Sequence, residues 1–501
     1  MKSLHQELRD TIIMASLENL NFDNSYLRLP NLFYQQIEPT PLRDPFLISF
    51  NPDIATLLDL DTSSIKPADL AKYFSGQALL PGSQPLAMKY TGHQFGVYNP
   101  ELGDGRGLLL GEVVNSRNER WNLHLKGSGK TAFSRFGDGR AVLRSSVREY
   151  LMSEAMSGLG IPTTRAFALV GSEEQAMRDG MMEPCAALLR ITQCHVRFGH
   201  FEYLYYSRQH DELKVLADYC LDRFYPQFKE ADKPYQAMYE EVMQRSAELV
   251  AKWQAYGFVH AVLNTDNMSM LGETFDYGPF SFLDTYKPKL VSNHNDHKGR
   301  YAFERQPEIV QWNLSCLGQA LLTLIDKDEV IALLDSYPER YKKAELTEFR
   351  RRLGLQTEEQ GDVELVRELL QLFVQQNVDM NRFFRTLSNF DGSDEKIADL
   401  MKLISYPSAL TPWLLKYEQR LENEPASQPI RKAQMRSVNP QFILRNYMAE
   451  EAIRSATEGD FSLVNDLMAL LKNPMQDNVA FERYAEAPPE WAGGICLTCS
   501  S

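Results

Sequence analysis

A change of periodicity part-way along the chain limits its fold more than any other feature. Between Gln94 and Thr192 the sequence runs in short apolar or alternating stretches, QFGVYN, LLLGEVV and WNLHLKG, parted by glycine-rich breaks. Such runs predict consecutive antiparallel strands. One helical interval interrupts them. Over 140–160, RAVLRSSVREYLMSEAMSGLG has apolar residues at 143, 147, 150, 151, 155 and 159 and is closed by Gly160 and Pro162. CAALLRIT (185–192) is strand-like again. From Asp218 the period turns helical, with amphipathic runs over 235–256 and 311–325, and past Asp326 the chain reads as helical and charged as far as Pro474. The first ninety residues mix short apolar runs with Pro30, Pro39, Pro41, Pro45 and Pro52, which predicts an extended wrapping segment with short helices.

A chain of 501 residues admits roughly two to four structural units. The expected class is α+β: a small β-rich N-lobe and a larger helical C-lobe, the layout of a protein-kinase-like fold. The expected units are an N-terminal extension (1–90), the N-lobe (91–192), a C-lobe with a metal site (193–345), and a helical extension with a CxxC tail (346–501). The balance of 53 Lys and Arg against 67 Asp and Glu gives a net charge of -14. It argues against non-specific nucleic-acid binding, which needs a basic surface. A few local arginines and lysines still suffice for a triphosphate. No stretch reaches the roughly 18 uninterrupted apolar residues of a membrane span. The N-terminus, MKSLHQELRDTII, carries Glu7 and Asp10 and lacks the apolar centre of a signal peptide, so the cytoplasm is the expected compartment. Cys185, Cys194, Cys220 and Cys316 stand singly and read as small buried thiols. Cys496 and Cys499 form a lone CxxC, a weak zinc signal and a better candidate for redox or disulfide chemistry.

The chemistry-bearing residues fall in a fixed order. In HAVLNTDN, Asp266 and Asn267 put an acid and an amide oxygen on a polar break after an apolar run, and Asp276-Tyr277-Gly278 follows. A metal-nucleotide site needs hard oxygen ligands and a carboxylate for the attacking group. Either motif alone also fits a plain turn or loop cap; their order after a β-rich half favours the site. Lys126 ends the strand-like WNLHLKG, and Glu149 lies mid-helix beyond it, the arrangement in which a lysine neutralises phosphate oxygens and a glutamate holds it. GDGRG (103–107), with Arg106, is one candidate phosphate cradle. Gly137-Asp138-Gly139, just before the helix, is another, at what reads as a helix N-terminus. GSGKT (127–131) is not a Walker loop, because His124 stands where the first glycine belongs. Arg190 and Arg197 flank ITQCHV; phosphate binding and structural salt bridges both remain open for them. These residues alone also allow a conventional γ-phosphate kinase or a nucleotide-binding scaffold.

Taken together, the strings YTGHQFG, GDGRGLLLGE, HLKGSGKTAFSRFGDGRAVLRSSVREYL, HAVLNTDNMS, DYGPFSFLD, QPEIVQWNL and SVNPQFILRN resemble the selenoprotein O family, over nearly the whole chain. The resemblance implies a kinase-like fold that binds ATP in an inverted orientation and transfers AMP to protein hydroxyls, with UMP transfer from UTP also known in the family. It implies Mg²⁺ or Mn²⁺ as cofactor, Ser, Thr or Tyr side chains as acceptors, and self-modification as one outcome. Carried over, Lys126 contacts phosphate and Glu149 holds it. Gly103, Gly105, Arg106, Asp138 and Gly139 line the nucleotide pocket, and Arg190 and Arg197 hold the terminal phosphates. Asp266 accepts the proton, and Asn267 and Asp276 bind the metal. The resemblance also places Cys499 where animal members carry selenocysteine. Bacterial relatives pair a tail cysteine with one in the activation segment; here that position reads Val291-Ser292-Asn293-His294, so that disulfide is not expected.

Overall fold

The computed structural model describes residues 15–498. Its N-terminal part is built on one antiparallel sheet, with β1 (Tyr34–Gln36), β2 (Phe46–Phe50), β3 (Leu86–Met88), β6 (Gly107–Val114), β7 (Arg120–Lys126), β8 (Ala141–Val142), β9 (Arg165–Arg178) and β10 (Met181–Thr192). The order is β1-β3-β6-β7-β10-β9-β2, with β8 beside β10. Period-two alternation sorts the side chains. Leu109 and Leu188 point into a large core shared with the helices, whereas Leu108, Leu110, Leu123, Leu125 and Leu189 point into a second core on the other face. Helices α1 (Pro52–Leu57) and α2 (Pro67–Phe74) contribute to that second core.

Two expectations need correction. The first ninety residues do not merely wrap: β1 and β3 extend one edge of the sheet and β2 forms the other. Each is only three to five residues long, so the prolines between them dominate the sequence signal. QFGVYN does not join the sheet either. It falls in a separate hairpin of β4 (Gly92–Gln94) and β5 (Val97–Asn99), turned by Phe95 and Gly96 in left-handed conformations.

Helix α3 (Leu143–Gly158) lies on the sheet, and its residues are buried nearly all round. Its other neighbours come from the far end of the chain. The helical part comprises α4 (Phe198–Tyr206), α5 (His210–Phe224), α6 (Pro234–Tyr256), α7 (Gln306–Ala320), α8 (Lys327–Leu353), α9 (Asp362–Gln376), α10 (Met380–Leu387), α11 (Asp394–Met401), α12 (Thr411–Leu421), α13 (Gln428–Arg436), α14 (Asn446–Thr457) and α15 (Ser462–Lys472). A two-stranded ribbon, β11 (Phe258–Val259) with β12 (Ser281–Phe282), sits between α6 and α7. α7 begins earlier than the apolar run suggests, because Pro307 is well suited to a first turn. α14 and α15 fold back onto α3. A Cβ on Gly158 would lie 2.2 Å from the Leu471 carbonyl oxygen, and Arg148 donates to the Phe280 carbonyl (3.0 Å) and to Asn446 Oδ1 (3.3 Å). The molecule is thus α+β, sheet-rich first and helical after.

The tail reaches the 291–294 segment even though no cysteine waits there: the His294 N–H donates to the Leu497 carbonyl at 2.8 Å. Cys496 is exposed, and the four single cysteines are buried as expected. Cys499 and the N-terminal stretch through Met14, on which the CxxC and signal-peptide readings depend, lie outside the described residues. Among the described residues, no helix is long and apolar enough to cross a membrane.

Candidate functional site

A cavity of about 790 Å³ opens between the glycine loops, the ends of β7 and β10, and the segment 262–279. Every residue expected to bind nucleotide or metal lines it, as does Asp266; Glu149 stands behind Lys126. Lys126 is the last residue of β7, paired in register with Gly107 and Leu188. Its ammonium forms an ion pair with Glu149 of α3, whose side chain is wholly enclosed. Burial pulls the Lys126 pKa down, and Glu149 opposes it. The other Glu149 oxygen lies 3.2 Å from Arg190 Nη1.

Arg190 stands opposite His124 across the β7–β10 ladder. Its Nη2 donates to His124 Nδ1 at 2.9 Å, so the imidazole proton sits on Nε2, which donates to Asp104 Oδ2 at 3.1 Å. Burial keeps this histidine below its ordinary pKa. The chain Asp104–His124–Arg190 ties the GDGRG loop to the cavity floor. Sequence reading missed it; the available signal was a lone histidine inside an apolar strand. Arg197, the N-cap residue of α4, lies over the rings of Tyr90 and Phe275 at 4.7 Å each and donates to the Asp266 carbonyl at 2.9 Å.

Both arginines converge on Asp276, one on each carboxylate oxygen. Burial opposes ionisation of Asp276, but the charges of Arg197, Arg190 and Lys126 outweigh it and hold the carboxyl well below the usual range. Asp276 adopts a left-handed φ of 59°, uncommon for a residue with a side chain. Thr265–Asn267 form a single 3₁₀ turn. Asp266 Oδ2 accepts from Gln94 Nε2 at 3.2 Å, while Oδ1 is buried without a partner. Burial raises the Asp266 pKa to about 7. The Asn267 amide nitrogen donates to the Val262 carbonyl at 2.9 Å, leaving its oxygen as the group it can offer. The Asn267 amide oxygen and the Asp276 carboxylate, which the two arginines share, are hard donors that suit a divalent cation such as Mg²⁺.

The glycine loops meet the cavity with bare backbone. Gly139 has φ 75°, and a Cβ there would lie 2.1 Å from the Gly129 carbonyl carbon, where the two loops cross. Gly103 has φ 140° and packs against the Phe133 ring. The 137–139 segment is not at a helix N-terminus, contrary to the sequence expectation. β8 intervenes, and the N-cap of α3 is Val142. Asp138 is instead held by Arg178 of the β9–β10 hairpin, at 2.7 and 2.8 Å.

With this geometry established, comparison with known proteins is informative. A family profile described as protein adenylyltransferase SelO matches residues 16–472. The chain belongs to the SelO family. Among curated SelO relatives, the protein nucleotidyltransferase YdiU of Hahella chejuensis is 55% identical, covering 97% of this chain and 99% of that protein. The YdiU proteins of Azotobacter vinelandii and Photobacterium profundum are 47% and 46% identical, each over 97% of this chain and their own full length. SelO membership makes the chain a protein nucleotidyltransferase, an enzyme that uses a nucleotide substrate.

Proposed function

We propose that the chain transfers AMP from ATP, or UMP from UTP, to Ser, Thr or Tyr hydroxyls of proteins, itself included, and that it works as a kinase-like two-lobed enzyme in the cytoplasm. In this reading 91–192, with the strands β1–β3 that the first ninety residues add to its sheet, forms the small lobe, 193–345 the large one, and the C-terminal helices an extension. The observation that carries it is the convergence of two buried arginines and Lys126 on Asp276, beside Asp266 and Asn267. That is more fixed positive charge than cradling one phosphate requires, and it suits the departing end of a phosphate chain. Arg190 and Arg197 hold the β- and γ-phosphates there, with Lys126 steadied by Glu149. The backbone of Gly103, Gly105 and Gly139, with Arg106 and Asp138, lines the rest of the nucleotide site.

Asp266 accepts the proton of the incoming hydroxyl; a pKa near 7 suits that task. The hydroxyl oxygen forms a bond to the α-phosphorus, the bond from that phosphorus to the bridging oxygen breaks, and pyrophosphate leaves with the electron pair. Asn267 and Asp276 would hold Mg²⁺ or Mn²⁺, which supplies positive charge against the phosphate oxygens. The test is incubation with Mg²⁺ and ATP labelled at the α- or the γ-phosphate. Label entering protein from the α position is expected; label entering only from the γ position sinks the reading.

A further inference from the structure

We propose that the hairpin strand β4, braced by Glu202, is a positioning strap for the loop that carries Asp266, and that Gln94 sets the orientation of the Asp266 carboxylate; this rests on Asp266 acting as the proton acceptor. β4 stands outside the main sheet, and each of its residues meets the 264–266 loop. Gly92 approaches so closely that a Cβ would lie 2.9 Å from Thr265 Oγ1 and 3.0 Å from Asp266 Oδ1. The His93 N–H donates to Thr265 Oγ1 at 2.7 Å. Gln94 Nε2 donates to Asp266 Oδ2 at 3.2 Å. In the hairpin turn, the Phe95 N–H donates to Tyr301 Oη at 2.8 Å, and that hydroxyl donates to Asn264 Oδ1 at 2.6 Å.

The strap is fastened from below. Glu202 of α4 is completely buried. One of its oxygens accepts from the Thr265 hydroxyl and the other pairs with His93 Nδ1. Thr265 Oγ1 thus accepts from the His93 backbone and donates to Glu202, which fixes its rotor. Cys316 also stands close: its sulfur, the His93 nitrogen and a Glu202 oxygen lie within 4.8 Å of one another. Both glutamate oxygens are already engaged, however, so the group serves the loop rather than offering free metal ligands. A buried carboxylate needs partners, and here those partners are the strap and the residue immediately before Asp266.

The consequence is asymmetric. One Asp266 oxygen is anchored by Gln94, and the other lies buried beside Gly92 without a partner. Without the amide donor the carboxylate is free to rotate, and misplacing a base by a fraction of an ångström is enough to slow proton transfer.

The test compares Gln94→Met, which keeps the side-chain volume but removes the donor, with Thr265→Val and Thr265→Ser. Nucleotide affinity is measured by calorimetry, and turnover with ATP labelled at either phosphate, so the result does not depend on which phosphate moves. Gln94→Met and Thr265→Val should lose about 10- to 100-fold in kcat with nucleotide affinity unchanged within about twofold, and Thr265→Ser should retain most activity. Turnover of Gln94→Met within about twofold of the parent, or affinity falling in step with kcat, overturns the strap. Asp266→Asn, run in parallel, separates the two ideas. If it stays active, the proton-acceptor assignment fails and takes the strap with it; if it is inactive while Gln94→Met is not, the strap alone fails.

Discussion

Replacing Asp276 with asparagine keeps its shape and removes the charge that two arginines share. The side chains of Arg190 and Arg197 are only 4% and 3% exposed, and the carboxylate between them is 22% exposed. In the variant Arg190 keeps Glu149 and His124, whereas Arg197 keeps only the Asp266 carbonyl and the two rings. Removing one partner of a buried ion pair costs about 3–5 kcal/mol, and the partial exposure of Asp276 lowers the expected loss to about 2–4 kcal/mol. Unfolding entropy for a chain this long is about 1 kcal/mol/K, so Tm should fall by about 2–4 °C in the absence of nucleotide. ATP in the presence of EDTA offers phosphates to the same guanidinium groups. In the parent it must displace the carboxylate, but in the variant it meets arginines already lacking one. The ATP-induced rise in Tm should therefore be larger in the variant, even though transfer activity with Mg²⁺ is lost. Scanning fluorimetry with and without ATP reads both quantities. Equal Tm values, or an ATP-induced rise no larger than the parent's, would refute the idea that Asp276 and phosphate compete for these arginines.

Gly139→Ala should weaken nucleotide binding at least tenfold by calorimetry, because its Cβ would sit 2.1 Å from the Gly129 carbonyl carbon at a positive φ and force the crossing loops apart. Glu273 accepts from the Thr192 hydroxyl, and burial lifts its pKa to about 7 from an ordinary 4.5. Since the folded value is the higher one, its contribution is fully present below the ordinary value and fades as pH rises to about 7. Glu273→Gln should remove that slope and stabilise the protein at pH 8 by at most about 3 kcal/mol, read from urea midpoints at several pH values. An unchanged slope would show that Glu273 is ionised at no cost. Gly158→Ala should destabilise the fold by about 1–3 kcal/mol through its contact with Leu471, measured by denaturant unfolding.

Where periodicity extends over many residues, the sequence is a good guide. β6, β7 and β10 show their alternation, and α3 and α6 their helical spacing, because long runs average out local exceptions. The candidate site residues stand out by their order along the chain, Lys126, Glu149, Asp266, Asn267, Asp276, and all of them come together around the cavity or directly behind it. Features created by register were hidden. His124 and Arg190 meet only because β7 and β10 pair at that rung, and Asp104 joins them from a loop. Gln94 looked like part of a strand in the sheet; its role depends on a hairpin lying across a loop far along the chain. The two-residue strand β8 is too short to show any period, so the glycine loop before it passed for a helix N-terminus.

The packing of α3 has a consequence for how the protein is made. This helix carries Glu149, yet part of its surface is covered by α14 and α15, which begin at Asn446, roughly 290 residues after Gly158. At about 5–20 residues per second, a ribosome needs on the order of 15–60 s to deliver them. Throughout that interval the emerging chain holds the sheet, the glycine loops and eventually Asp266, but an unfinished wall behind Lys126. The packing of α3 is thus completed only once α14 and α15 have been made.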